Sequence, residues 1–247
     1  MKRQTKDDLI YGVHPVTEAI RSGSEIDLIL TQRRSNPGLQ ELMSLARQEG
    51  IPVRSVPREK LDRTVRKEHQ GVIAFLNKVP HADLSEIITA AYEKGETPLV
   101  IICDGITDVR NIGAMARSAE CMGAHALVVP GTRSARLGSD AIKSSAGALL
   151  KLPVARVDKL KEAIECCRGQ GLTLVGLSEK GQDTIEQCDL CRPLAVVMGD
   201  EHDGLSPTML SNVDDLLQIP MHGKIGSLNV SVATGITLDE VVRQRGR

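Results

Sequence analysis

The feature that most constrains this chain is a set of short apolar runs with no polar alternation. Leu99–Cys103 and Leu194–Met198 are apolar throughout, and Ala126–Val129 continues the pattern. A strand with one face in water alternates apolar and polar residues, whereas a strand buried on both faces reads as a continuous apolar run. Stretches with helical spacing separate the runs: Asn111–Met122 stops at Gly123, and Ser139–Ala148, Lys159–Arg168 and Val230–Gln244 follow. Pro153–Val157 and Leu172–Leu177 supply further strands. This alternation predicts a doubly wound parallel sheet from Pro98 onward, covered by helices on both faces.

Residues 1–78 repeat the alternation on a smaller scale. Strands are expected at Leu9–Gly12, Ile26–Leu30, Pro52–Val56 and Val72–Leu76, with helices at Val16–Arg21, Pro37–Glu49 and Pro57–Val65. They make a small α/β domain. Lys78–Ala82, with Pro80, reads as a linker. Asp83-Leu-Ser-Glu86 has the form of a capped helix start and Gly95 of a stop, so residues 79–97 are expected to hold the linker and a junction helix, Leu84–Lys94. The sheet domain then spans residues 98–247.

Glycine-rich loops close two of the later strands. Leu194–Met198 runs into Gly199-Asp-Glu-His-Asp-Gly204, and a second apolar run ends at Ile219-Pro-Met221, followed by Gly223-Lys-Ile-Gly-Ser-Leu-Asn229. Ligands of open α/β sheets bind beyond the carboxyl ends of strands, and glycine lets backbone groups approach them. The dinucleotide fingerprint is missing. Gly199 and Gly204 have P-loop spacing, but Leu205 stands where the phosphate-binding lysine belongs, so a nucleotide phosphate is not the expected ligand. Ile219, Met221 and Leu228 could line an apolar ligand slot, but taken by themselves they read as simple core.

Composition narrows the classes further. The chain has 247 residues with a net charge of −1, no Trp, one Phe and two Tyr, which disfavours a reader of RNA that stacks bases on aromatic platforms. Residues 1–78 carry +4 and residues 79–247 carry −5. Arg63, Arg66 and Lys67, together with His69-Gln-Gly71, read either as an RNA-contacting loop or as a solvated basic turn. Arg33-Arg34 is a weaker basic pair. Cys188-Asp-Leu-Cys191 lacks a second ligand pair at zinc-site spacing, so no metal is expected and free thiols in a reducing compartment are. No run has membrane-spanning length, and no signal peptide is apparent, so a cytoplasmic protein is expected.

Three stretches together carry a resemblance. Asp104-Gly-Ile-Thr-Asp-Val-Arg-Asn111-Ile-Gly113-Ala-Met-Ala-Arg117-Ser118-Ala-Glu120, then Gly199–Ser206, then Ile219–Met221 with Ser227-Leu-Asn-Val-Ser-Val-Ala233, resemble in order the three motifs of the SpoU (TrmH-like) family of the SPOUT superfamily. The resemblance covers residues 98–245 and, more weakly, residues 9–78. It implies an RNA ribose 2′-O-methyltransferase: a parallel-sheet domain tied in a trefoil knot, a homodimer, and an N-terminal RNA-binding α/β sandwich. It implies S-adenosylmethionine as cofactor, held at Gly199, Ile219, Met221 and Leu228. Asn111, Arg117, Glu201, Ser227 and Asn229 match the family's functional positions. Family mechanisms give Arg117 the 2′-hydroxyl proton; an arginine normally stays charged, so a clamp on phosphate and developing alkoxide is the other role for it.

Two loops depart from the family pattern. Asp108-Val-Arg precedes Asn111 where relatives often have proline, and His202 stands at a common glycine. His202 reads as a loop histidine rather than a base. The two-domain layout resembles the ribosomal-RNA branch, whose substrate is a guanosine of the large subunit. A transfer-RNA enzyme of the same chemistry, or a non-catalytic RNA-binding protein of the same fold, is the alternative.

Overall fold

The computed structural model describes residues 9–32, 37–77, 79–200 and 203–246. Arg33, Arg34, Glu201 and His202 lie outside them. The chain divides into two compact units, Met1–Lys78 and Val79–Arg247.

Among the described residues of the first unit, strands β1 (Leu9–Tyr11), β2 (Ile26–Gln32), β3 (Val53–Val56) and β4 (Val72–Leu76) form one sheet in the order β1-β4-β2-β3, with β2 and β3 parallel and the other pairs antiparallel. Successive side chains of a strand point to opposite faces, and β4 shows the consequence. Val72 and Ala74 pack with Ile29 against helices α1 (Val13–Arg21) and α2 (Pro37–Gln48). Ile73 and Phe75 pack with Leu30 against Leu61 of α3 (Arg58–Thr64). Apolar side chains on both faces require helices on both, which makes the unit an α/β sandwich.

In the second unit, the described strands are β5 (Leu99–Asp104), β6 (Ala126–Pro130), β7 (Val154–Val157), β8 (Thr173–Leu177), β9 (Asp183–Thr184), β10 (Leu194–Gly199) and β11 (Asp215–Gln218). They form one parallel sheet in the order β7-β6-β5-β10-β8-β11-β9. The chain moves outward from β5 through β6 to β7, crosses to β8, and later inserts β10 into the gap between β5 and β8. Leu99, Ile101 and Cys103 face α5 (Val109–Cys121), α6 (Ser139–Ser144) and α9 (Val230–Gln244). Val100 and Ile102 face α4 (Leu84–Glu93), α7 (Leu160–Gly169) and α8 (Pro207–Leu210). Residues 79–97 are built into this unit: Val79 is fully buried and Leu84 and Ile88 join its core.

Helix α1 starts at Val13 rather than Val16, α6 stops at Ser144 rather than Ala148, and β9 was not expected. Three further features differ from the periodicity reading. Helix α5 begins at Val109 rather than Asn111, because the Asp108 carboxylate accepts the Arg110 N–H at 2.8 Å and caps the helix there. The polar stretch after Gly204 contains α8, capped by Ser206. The strand before Met221 ends at Gln218, ahead of Pro220. At the far end of α9, Arg245 donates to the carbonyls of Thr97 at 2.8 Å and Arg192 at 2.8 Å, pinning the helix beside the start of β5.

Candidate active site

The carboxyl ends of β8, β10 and β11 open into a cavity of about 490 Å³, well within the range of small-molecule sites. Its apolar wall includes Met198, Leu205, Ile219, Leu228, Val230 and Ala233; Gly199, Gly204 and Gly226 expose backbone to it, and Ser227 also lines it. The four positions expected to touch a cofactor, Gly199, Ile219, Met221 and Leu228, all line this one cavity. Ser178, Glu179 and Lys180 line it too. They were missed in the sequence because nothing in Leu177-Ser-Glu-Lys180 is distinctive; their place at the end of a strand flanking β10 is the signal that would have found them.

The first loop is shaped by close backbone approach. A Cβ on Gly199 would lie 2.3 Å from the carbonyl carbon of Gly204 and 2.5 Å from the nitrogen of Leu205, so only glycine fits beneath this turn. Asp200 and Gly204 exchange two backbone hydrogen bonds, at 3.0 and 2.9 Å, and Gly204 has φ +67°, a left-handed conformation suited to glycine. Glu201 falls between them, outside the described residues. Asp104, the last residue of β5, was not singled out as a site residue. It is buried, and its carboxylate accepts the N–H of Ser206 at 2.5 Å.

Asn229 caps α9, its side-chain oxygen accepting the N–H of Ser231 at 2.9 Å. Its amide also donates to Asn111 Oδ1 at 3.1 Å, so two expected site residues 118 positions apart touch. Leu228 and Val230, on either side of Asn229, line the cavity. Arg117 is exposed on α5 and has no hydrogen-bond or ion-pair partner among the described residues. It is the ninth residue of the helix and lies outside the first turn, whose free backbone N–H groups favour anions. Arg110 forms a two-point contact with Asp108, at 2.7 and 3.2 Å, and this guanidinium holds the Asp108 carboxyl below the usual carboxylate range. Burial, with Asp104 adjacent, pushes the Cys103 thiol up to about 12. Among the described residues, no cluster of His, Cys, Asp or Glu has metal-site form.

In the first unit, Arg63, Arg66 and Lys67 are exposed, while His69 is buried at 2%. His69 Nδ1 accepts the Gly71 N–H at 3.0 Å, so its Nε2 carries the proton and donates to Asp62 at 2.9 Å. His69 therefore braces the basic loop from within instead of joining its surface.

Residues 98–239 match the SpoU rRNA Methylase family, and residues 9–82 match the family described as RNA 2′-O ribose methyltransferase substrate binding. The 23S rRNA (guanosine-2′-O-)-methyltransferase RlmB of Pseudomonas putida is 37% identical over 240 residues, covering 96% of each chain. The putative TrmH family tRNA/rRNA methyltransferase YacO of Bacillus subtilis is 35% identical over 239 residues, again covering 96% of each. Among solved structures, the SpoU methyltransferase AviRb of Streptomyces viridochromogenes, crystallised with AdoMet, is 28% identical and superimposes with a TM-score of 0.59 over 96% of this chain and 90% of its own. With the family match spanning most of the sheet unit and relatives this similar over nearly their full length, the chain belongs to the SpoU rRNA methylase family.

Proposed function

We propose that this chain methylates the ribose 2′-hydroxyl of a guanosine in 23S ribosomal RNA, using S-adenosylmethionine. The observation that carries the reading is the cavity itself: the four residues assigned to cofactor contact line one space at the carboxyl ends of adjacent strands. Its chemistry suits this cofactor. Aliphatic side chains offer a slot for an adenine face, glycine backbone offers hydrogen bonds to its edges, and no phosphate cradle is needed. Among the relatives, the Pseudomonas putida protein bears the name of this activity.

When bound, S-adenosylmethionine supplies a methyl group on a sulfonium centre. The protein's task is to hold the ribose oxygen in line with that methyl group at reacting distance. Asn111 and Asn229 fix each other's side chains, and with Ser227 they orient the substrate ribose. Arg117, exposed on α5, clamps an RNA phosphate and stabilises alkoxide charge as it develops. Glu201 completes the polar set. Arg63, Arg66 and Lys67 bind RNA through phosphate contacts.

The active protein is a homodimer of cytoplasmic origin, and its C-terminal segment threads an earlier loop as a trefoil knot. Val232 and Ile236, one turn apart on α9 and 48% and 38% exposed, support an apolar subunit contact; a monomer in light scattering would refute it. The test of the activity is to map 2′-O-methyl groups in total RNA from cells with and without the gene. Loss of one methylated guanosine in 23S RNA is expected. A lost mark in transfer RNA would redirect the substrate, and an unchanged methylation map would leave an RNA-binding role.

A further inference from the structure

Asp104 is a carboxylate in an apolar place. It ends the interior strand β5, is 5% exposed, and lies in register beside Gly199 of β10. Among the described residues no cation is ion-paired with it. Burying a carboxylate costs free energy unless hydrogen bonds compensate, and an apolar side chain would pack here without that cost. The compensation is the N–H of Ser206, held at 2.5 Å across 102 residues of sequence.

Ser206 is where the loop that begins at Gly199 ends. Asp200 and Gly204 exchange two backbone hydrogen bonds, and the backbone of Gly204 and Leu205 passes directly over Gly199. Gly199, Gly204 and Leu205 all line the cavity. One end of this loop is continuous with β10; Asp104 ties the other to β5.

We infer that Asp104 is a positioning residue for the cofactor: its carboxylate fixes the backbone of Gly204 to Ser206 over Gly199, where it forms one wall of the cofactor cavity. The inference rests on the proposed cofactor. It assigns Asp104 to binding, not to the chemical step, because among the described residues the hydrogen bond it accepts comes from the loop backbone.

The experiment uses the full chain with Asp104→Ala and the near-isosteric Asp104→Asn. Calorimetry gives the Kd for S-adenosylmethionine, single-turnover transfer at saturating cofactor gives the chemical rate, and thermal melting confirms a folded protein. A hydrogen bond to a charged acceptor is roughly twice as strong as a neutral one, so Asn retains part of the tie. Asp104→Ala should raise Kd by about tenfold or more, Asp104→Asn should fall between it and the native chain, and the saturated rate should stay within about threefold. Should Asp104→Ala fail to fold, a raised Kd with an unchanged saturated rate in Asp104→Asn carries the inference, and a native Kd in that variant overturns it. An unchanged Kd with a lower melting temperature would make Asp104 merely structural and overturn the inference; so would an unchanged Kd with a slower saturated rate. A native chain that binds no S-adenosylmethionine would instead overturn the cofactor reading beneath it.

Discussion

Gly199→Ala should damage the cofactor loop far more than its size suggests. The added methyl carbon would sit 2.3 Å from the carbonyl carbon of Gly204, 2.5 Å from its oxygen and 2.5 Å from the nitrogen of Leu205. Carbon atoms pack at about 3.5–4.0 Å, so the turn has to lift by roughly 1 Å or more. The obstacle is backbone, which cannot rotate away as a side chain can. Lifting it strains two hydrogen bonds between Asp200 and Gly204, each worth about 0.5–1.5 kcal/mol. Overpacking a filled site typically costs about 1–3 kcal/mol, and the two effects overlap, so we expect a loss of about 2–4 kcal/mol. For a unit of this size that lowers the melting temperature by roughly 5–15 °C. Gly204→Ala is the control. Nothing lies within 4 Å of its added carbon, and only its φ of +67° opposes it, a cost of about 1–2 kcal/mol. Both variants would be compared by thermal melting and by calorimetry with S-adenosylmethionine. Gly199→Ala should melt lower than Gly204→Ala and bind cofactor more weakly than both it and the native chain. A Gly199→Ala protein that melts and binds like the native chain would show that the turn does not need glycine beneath it.

Three further outcomes are expected. Arg117→Ala should leave cofactor Kd near its native value and slow single-turnover methyl transfer by about 10²–10³; Arg117→Lys should recover little, because an ammonium lacks the planar fork, and a near-native rate in Arg117→Ala would make the residue structural. Replacing Arg63, Arg66 and Lys67 together by Ala should weaken RNA binding and flatten its dependence on salt while sparing cofactor binding; equal affinity and slope in gel-shift titrations would remove the RNA role from this loop. Burial pushes the Cys103 and Cys167 thiols up to about 12, so alkylation of the native protein at mildly alkaline pH, read by mass spectrometry, should label the exposed Cys121 and Cys191 and spare those two until the chain is unfolded.

Much of this architecture is written locally. Short unbroken apolar runs such as Leu99–Cys103, bounded by turn residues, suit strands covered on both faces, and the pattern of β4 places Val72 and Ile73 on opposite sides of its sheet whatever the fold. The glycine-rich loops after Met198 and Met221 were legible because glycine and strand-end position are properties of a few consecutive residues, whereas Ile219 and Leu228 by themselves read as core. Arg117 and Asn111 were legible as a motif, although the capping carboxylate of Asp108 moved the helix start and put Arg117 two turns in.

What depended on tertiary structure is what joins distant segments. The insertion of β10 between β5 and β8 leaves no mark in either strand, since a buried strand looks the same beside any parallel neighbour. The pairing of Asn229 with Asn111 and the tie from Asp104 to Ser206 each span more than a hundred residues. His69 looked like part of a basic surface because its neighbours are charged, yet the fold turns it inward between Asp62 and Gly71. Ser178 to Lys180 reach the cavity only because β8 ends beside β10. Sequence records the burial and turn preferences of each segment; which segments meet is decided by how the apolar faces of whole strands and helices are covered together.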